Sequence, residues 1–157
     1  MRRSKLDKID KKILETLQAD GRVTNVDLAK IVGISAPPCL RRVRVLEEAG
    51  YIKGYNARID PSILGYSVTV FARVRLESQA EKDLEAFEKH MVALPMVREC
   101  HMLAGDVDFI LRIVAKDWDA YQEFLTKELT SAPNVVSVKS SLGIRSAKDE
   151  PGVPIEQ

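Results

Sequence analysis

Residues 20–50 read DGRVTNVDLAKIVGISAPPCLRRVRVLEEAG, and this stretch decides the first half of the fold. Thr24 or Asn25 can cap a short helix running to about Val32, with Leu28 and Ile31 turned inward. Gly33 ends it, because a tight turn there favours a residue without a Cβ. Ser35 stands at the cap of a further helix running through Glu48. Pro37 and Pro38 fall in its first turn, where a missing N–H costs no intrahelical bond. Gly50 closes it. Upstream, Leu6, Ile9, Ile13 and Leu17 recur three or four apart, so Leu6–Ala19 reads as a helix stopped by Asp20-Gly21. Helix, short helix, tight turn and helix make a helix-turn-helix. Downstream, YIKGYNARID (51–60) reads as a two-stranded wing turning near Lys53-Gly54. Asp60-Pro61 breaks the pattern, so residues 1–60 are expected to form one domain and 61–157 another.

The second part changes period. In SVTVFARVRL (67–76), Val68, Val70, Ala72, Val74 and Leu76 fall on one side of a strand. Helices follow over 80–94, through Leu84, Phe87, Met91 and Leu94, and over 117–131, through Trp118, Tyr121, Leu125 and Leu129. Strands are expected over 96–104, 107–115 and 134–145. The order β-α-β-β-α-β is the ferredoxin-like plan. The fold class is therefore α+β, a winged helix-turn-helix followed by a ferredoxin-like sandwich. Phe71 lies on the far face of its strand, which points to a second copy of the chain against that face.

Composition excludes several classes. The 157 residues are 45% hydrophobic and 30% charged, which is globular and neither disordered nor fibrous. Charges interrupt every apolar run before a bilayer-spanning length, so no membrane segment is expected. The basic start MRRSKLDKIDKK lacks the apolar region of a signal peptide. Two cysteines are too few for a disulfide scaffold, and a cytoplasmic protein is expected. The net charge of +1 hides an asymmetry: 13 Lys and Arg against 8 Asp and Glu up to Asp60, then 11 against 15. A basic head on an acidic body suits a polyanion partner.

No phosphate loop, dinucleotide fingerprint, zinc-protease motif or nucleophile elbow is present. Cys100 and His101 are adjacent and point to opposite faces of a strand, so neither they nor any other group is expected to hold a metal. Cys39 reads as small apolar filler.

On the helix after Ser35, at about 100° per residue, a core line between Leu40 and Leu46 takes in Ala36, Val43 and Glu47. Pro38, Arg41, Val45 and Glu48 fall opposite, with Arg42 and Arg44 on the flanks. An RRxR run is ordinarily a solvated face. Behind a helix-turn-helix it fits a recognition helix in the major groove of double-stranded DNA. Arg41 is the candidate for base contact, and Arg42, Arg44 and Lys53 for phosphates. With the helix starts, the candidate DNA-binding set is Thr24, Asn25, Ser35, Pro37, Pro38, Arg41, Arg42, Arg44 and Lys53.

The segments LDKIDKKILETLQADGR, LAKIVGIS, PPCLRRVRVLEEAGYIKGYNARIDPSILG and AGDVDFIL closely resemble the leucine-responsive/asparagine-synthesis regulator (Lrp/AsnC) family of transcription factors. The resemblance runs from about Leu6 to Ala147. It implies a homodimer formed through the second domain, often assembled into octamers. It implies no cofactor, but a small effector, usually an amino acid, bound between dimers at the loop joining the second and third strands. Here that loop is Ala104, Gly105, Asp106, Val107, Asp108 and Phe109, and Ser140 is a further polar candidate. Gly105 lets backbone N–H groups approach a carboxylate, and Asp106 or Asp108 could accept from an α-ammonium. Ala104 departs from the hydroxyl residue that many relatives carry.

Two other functions compete. Sirohaem decarboxylases have a similar architecture but a degenerate head, whereas this head keeps its helix start, buried stripe and three arginines. The other alternative is a metabolite-sensing scaffold without DNA binding.

Overall fold

A computed structural model describes residues 6–156. The chain divides into a head, which runs to Arg58 and takes in Lys148 onward, and a body, Ile59–Ala147.

The head holds α1 (Lys8–Ala19), α2 (Asn25–Val32) and α3 (Ala36–Glu48). Ile13, Leu28, Ala29, Cys39 and Leu46 are its buried centre, with Ile9, Leu17, Val43 and Tyr51 packed around them. Asp7 and Asp10 start α1 with a reciprocal capping box. Thr24 caps α2, its hydroxyl accepting from Asp27 N–H at 3.1 Å. Gly33 ends α2 in the left-handed conformation, φ 74°. Ile31, expected inward, is exposed, and Ala29 takes the buried place instead.

The wing does not form strands. Residues 52–60 run without regular structure. Two arms of a few residues make a marginal hairpin, and this segment bonds elsewhere. Tyr51 and Ile52 donate backbone N–H groups to Leu46 O and pack on the head core. The Tyr55 hydroxyl donates to Glu47 Oε1 at 2.9 Å.

The tail also departs from expectation. Residues 148–156, assigned with the second domain by sequence, group with the head in their contacts. Their polar groups find partners there: Arg58 and Asp149 meet at 2.9 Å, and Gln18 holds Val153.

The body is β1 (Val68–Leu76), α4 (Glu81–Val92), β2 (Val97–Met102), β3 (Phe109–Ala115), α5 (Trp118–Phe124) and β4 (Val135–Leu142). The sheet order is β2-β3-β1-β4, with antiparallel pairing throughout. The long apolar strand β3 is internal, as its continuous hydrophobicity predicts. Val70, Ala72, Val74 and Leu76 of β1 and Phe109, Leu111 and Ile113 of β3 form the core with Phe87, Met91, Tyr121, Phe124 and Leu129. After Phe124 the helix continues as a π turn over Leu125–Leu129. In that turn the Thr130 N–H bonds Leu125 O, five residues back, and Leu129 is buried, as its spacing from Tyr121 and Leu125 predicts. Trp118, expected in the core, stays exposed at the helix start with its ring 5.4 Å from that of Tyr121.

Candidate DNA interface and effector loop

The face of α3 is set by what it buries. Ala36, Cys39, Val43 and Leu46, spaced three and four apart, meet the head core. Their mean direction lies about 80° from Leu40, which places Arg41 about 180° from the core. Sequence alone draws the core line between Leu40 and Leu46, with Leu40 inside the buried stripe, but Leu40 is 40% exposed and Cys39 is fully buried. Arg41, Arg44 and Pro37 stand exposed on the outward arc, and Leu40 flanks them. Pro38, placed opposite the core by sequence, is half-buried.

Arg42 is turned towards α1. Its Nη1 donates to Asp7 Oδ2 and to Asp10 Oδ1, both at 2.7 Å. Nη1 of the residue expected at a phosphate is thus engaged by two carboxylates, and Arg42 ties the start of α1 to the recognition helix. The Asp10 N–H and then the Arg42 guanidinium hold the Asp7 carboxyl below its ordinary value. A depressed carboxylate contributes stability above its unfolded pKa and loses it as pH falls through the folded one. Asp7→Asn is therefore expected to flatten the acid dependence of head stability below about pH 4, measured by circular-dichroism melts at stepped pH. Arg42→Ala is expected to cost about 1 kcal/mol of stability, discounted for its partial exposure, while leaving the salt slope of DNA binding unchanged. A smaller slope would return Arg42 to the phosphates.

The start of α3 has an unusual cap. Ser35 has N-cap geometry, φ −76° and ψ 157°, yet its hydroxyl makes no capping bond. A cap oxygen accepts from the second or third helical N–H. Those positions are Pro37 and Pro38, which have none. The capping role expected of Ser35 is therefore closed by its own neighbours. Thr24 has the opposite fate, with its hydroxyl donating to Asp27 Oδ2 at 2.7 Å while accepting from Asp27 N–H. Asn25 reaches across the turn, and its Nδ2 donates to Ala36 O at 2.9 Å, joining the starts of α2 and α3. Lys53 is exposed on the segment after α3.

In the body, Ala104, Gly105 and Asp106 are exposed, and Gly105 has φ 156° with open space beside it. Asp108 and Phe109 face inward. Asp108 is 6% exposed; its Oδ2 accepts from Leu76 N–H at 2.7 Å and its Oδ1 from Gln79 Nε2 at 2.8 Å. The expected acceptor for an α-ammonium instead clamps the loop to the end of β1. Phe109 is fully buried with its ring 4.7 Å from that of Phe87. Val107 is half-buried. Ser140 is not brought to this loop. It pairs with Ala72, four residues along β1 from Leu76, and its hydroxyl bonds that of Tyr121. At roughly 3.3 Å per residue this is about 13 Å along the strand.

Among the described residues no group of three or more His, Cys, Asp and Glu is placed to hold a metal, and no helix is long and apolar enough to cross a membrane. Burial, and then the Glu88 charge, push the Cys100 thiol up to about 11, so it is not a nucleophile at neutral pH. Sequence reasoning missed three participants: Leu40 beside the outward arc, and Asp7 and Asp10 as partners of Arg42. The acidic pair before an apolar helix was a legible capping signal. Its reach to Arg42 was not.

Comparison with known proteins matches this geometry part by part. Residues 6–53 match the model of a winged helix-turn-helix DNA-binding domain, and residues 69–153 that of the Lrp/AsnC ligand binding domain. The chain is 51% identical over 147 residues to the leucine-responsive regulatory protein of Rhizobium meliloti, covering 94% of each. It is 48% identical over 143 residues to the Bkd operon transcriptional regulator of Pseudomonas aeruginosa, covering 91% of this chain and 94% of that one. A Neisseria meningitidis transcriptional regulator, solved in complex with L-Met, superposes with a TM-score of 0.91 at 35% identity, over 96% of this chain and 97% of the other. These relatives are regulators, and the head is a DNA-binding domain, so the enzyme alternative falls. With a DNA-reading head and a ligand-binding body in the family order, the chain belongs to the Lrp/AsnC family of transcriptional regulators.

Proposed function

We propose that this chain binds operator DNA in the cytoplasm as a homodimer, assembled further into an octamer, and that an amino acid bound between dimers tunes it. The observation that carries the reading is the outward arc of α3: Arg41 and Arg44 are exposed there while Arg42 is tied to Asp7 and Asp10. Arg41 reads a base, and Arg44 and Lys53 meet phosphates. The Ser35 hydroxyl, denied its cap partners, donates to a phosphate beside the helix start. Thr24, Asn25 and Pro38 serve the interface by holding the two helix starts in place, and Pro37 meets the groove directly. Leu40 adds an apolar contact of the kind that recognises a thymine methyl group.

The effector reading rests on Ala104, Gly105 and Asp106, the exposed part of the loop. Backbone N–H groups there receive a carboxylate, and Asp106 accepts from the α-ammonium. Val107, Asp108 and Phe109 hold the loop's shape. Ser140 lies some way along the sheet, so it reaches such a ligand only from another copy. The L-Met complex of the Neisseria relative supports an amino acid as the chemical class. Coupling of about 1–3 kcal/mol would change DNA affinity roughly 5- to 150-fold.

The test is a titration of the DNA upstream of the protein's own gene at two salt concentrations, with and without L-methionine, L-leucine and then the remaining amino acids. Tight, salt-sensitive binding shifted by one amino acid is expected. Binding that no amino acid shifts overturns the effector reading, and affinity equal to that for random DNA overturns the regulator reading. Lys53→Ala is expected to weaken all sequences alike and to reduce the salt slope by about 0.9 for each phosphate it no longer neutralises. A sequence-dependent effect would give Lys53 a reading role.

A further inference from the structure

The C-terminal segment ends on the head through a contact built from a side chain. Gln18, half-buried near the end of α1, donates from Nε2 to Val153 O at 2.8 Å, and Val153 N–H donates back to Gln18 Oε1 at 3.0 Å. One residue thereby has both backbone groups satisfied, as it would beside a neighbouring β-strand. Pro151 and Pro154 flank the contact and fix φ on either side of it, which lowers the chain entropy lost on pairing. Gly152 has φ 79°, and a Cβ on it would collide with Oε1, Cδ and Cγ of Gln18. That collision is with the end of a flexible side chain. A larger residue would therefore displace Gln18 and break the pairing without disturbing the helix. Asp149 supplies a second anchor on Arg58 at 2.9 Å, and Ile155 is half-buried beyond it.

We propose that the Gln18 face of the head is a docking site for residues 149–154 of the same polypeptide, recognised through its backbone and a required glycine. The chain passes between the two units at Arg58–Ile59 and again at Ala147–Lys148. A docked tail therefore gives the head a second tether, which restricts the orientations it can take when two heads engage two half-sites. This consequence rests on the DNA-binding reading; the docking does not. Two side-chain hydrogen bonds and one exposed ion pair are individually weak, so the latch is held but opens readily.

The test compares the full-length protein with Gln18→Ala and Gly152→Ala. Amide hydrogen exchange is expected to show Val153 N–H protected in the parent and roughly tenfold faster in each variant, with the amides of α1 and α3 unchanged. Trypsin cleavage after Arg145 and Lys148 should accelerate in parallel. Val153 exchange equally fast in parent and variants overturns the docking site. In DNA binding, both variants are expected to tolerate a wider range of half-site spacings. Faster exchange with an unchanged spacing profile overturns the tether and leaves the docking. A third arm mixes Gln18→Ala chains, whose tails are intact, with Gly152→Ala chains, whose Gln18 is intact. Protection of Val153 in the mixture would put the tail on a neighbouring copy and overturn the same-chain assignment.

Discussion

Arg41→Ala lowers affinity for the specific operator by about 1–3 kcal/mol per half-site, roughly a 5- to 150-fold loss at each, and flattens the preference at one base position. The size follows from where the side chain stands. Arg41 projects from the outward face, one turn into α3, and the early turns of a recognition helix approach base edges. Arginine there presents two donors to the two acceptors of a guanine edge, and no other base pair offers that pair. The head core is on the opposite side of α3, so truncation leaves folding intact. Competition with operators changed at one base pair at a time checks it: the variant should lose discrimination at one position of each half-site and keep it elsewhere. A uniform loss across all sequences would make Arg41 a phosphate contact instead. Arg42→Ala provides the contrast, because it acts on the hold between α1 and α3.

Phe109→Ala destabilises the body by about 3–5 kcal/mol. Typical domains hold only about 5–15 kcal/mol in all, so this variant unfolds well below the parent's melting temperature. Phe109 is fully buried, opens β3 and packs its ring on Phe87 of α4, so truncation leaves a void between sheet and helix. The loop that precedes it would loosen as well, because Asp108 holds Leu76 and Gln79 from the neighbouring position. Asp106→Ala should move stability by no more than about 0.5 kcal/mol, since the residue is exposed, while removing the response to the effector. Thermal unfolding of the two variants side by side separates the loop's structural half from its binding half. A Phe109→Ala protein that melts with the parent would remove the core role given to it here.

Both the helix-turn-helix and the ferredoxin-like layout are legible in the sequence, because the signals that mark them are local. Leu6, Ile9, Ile13 and Leu17 carry one period, and Val68 to Leu76 the other. Gly33 and Pro37-Pro38 mark their boundaries through backbone chemistry that does not depend on distant residues. The third helix shows where local signals stop. Apolar Leu40 and apolar Cys39 are adjacent, and periodicity accepts either as the centre of the buried stripe. Packing against Ile13 and Leu28 selects Cys39.

The amino-acid sequence by itself determined the order of elements, the basic head on an acidic body, and Arg41 as the outward arginine. These follow from spacing, charge and turn residues along the chain. Only the tertiary structure decided that Arg42 belongs to Asp7 and Asp10, that Asp108 clamps β1, and that Gln18 holds Val153. Each joins groups far apart in sequence, from 32 residues to 135. A polar side chain's partner is whatever folding brings within hydrogen-bonding distance, and its residue type says only that it needs one. The wing segment is settled the same way: the backbone N–H groups of Tyr51 and Ile52 bond Leu46 O and the Tyr55 hydroxyl bonds Glu47, so the segment is held on the end of α3.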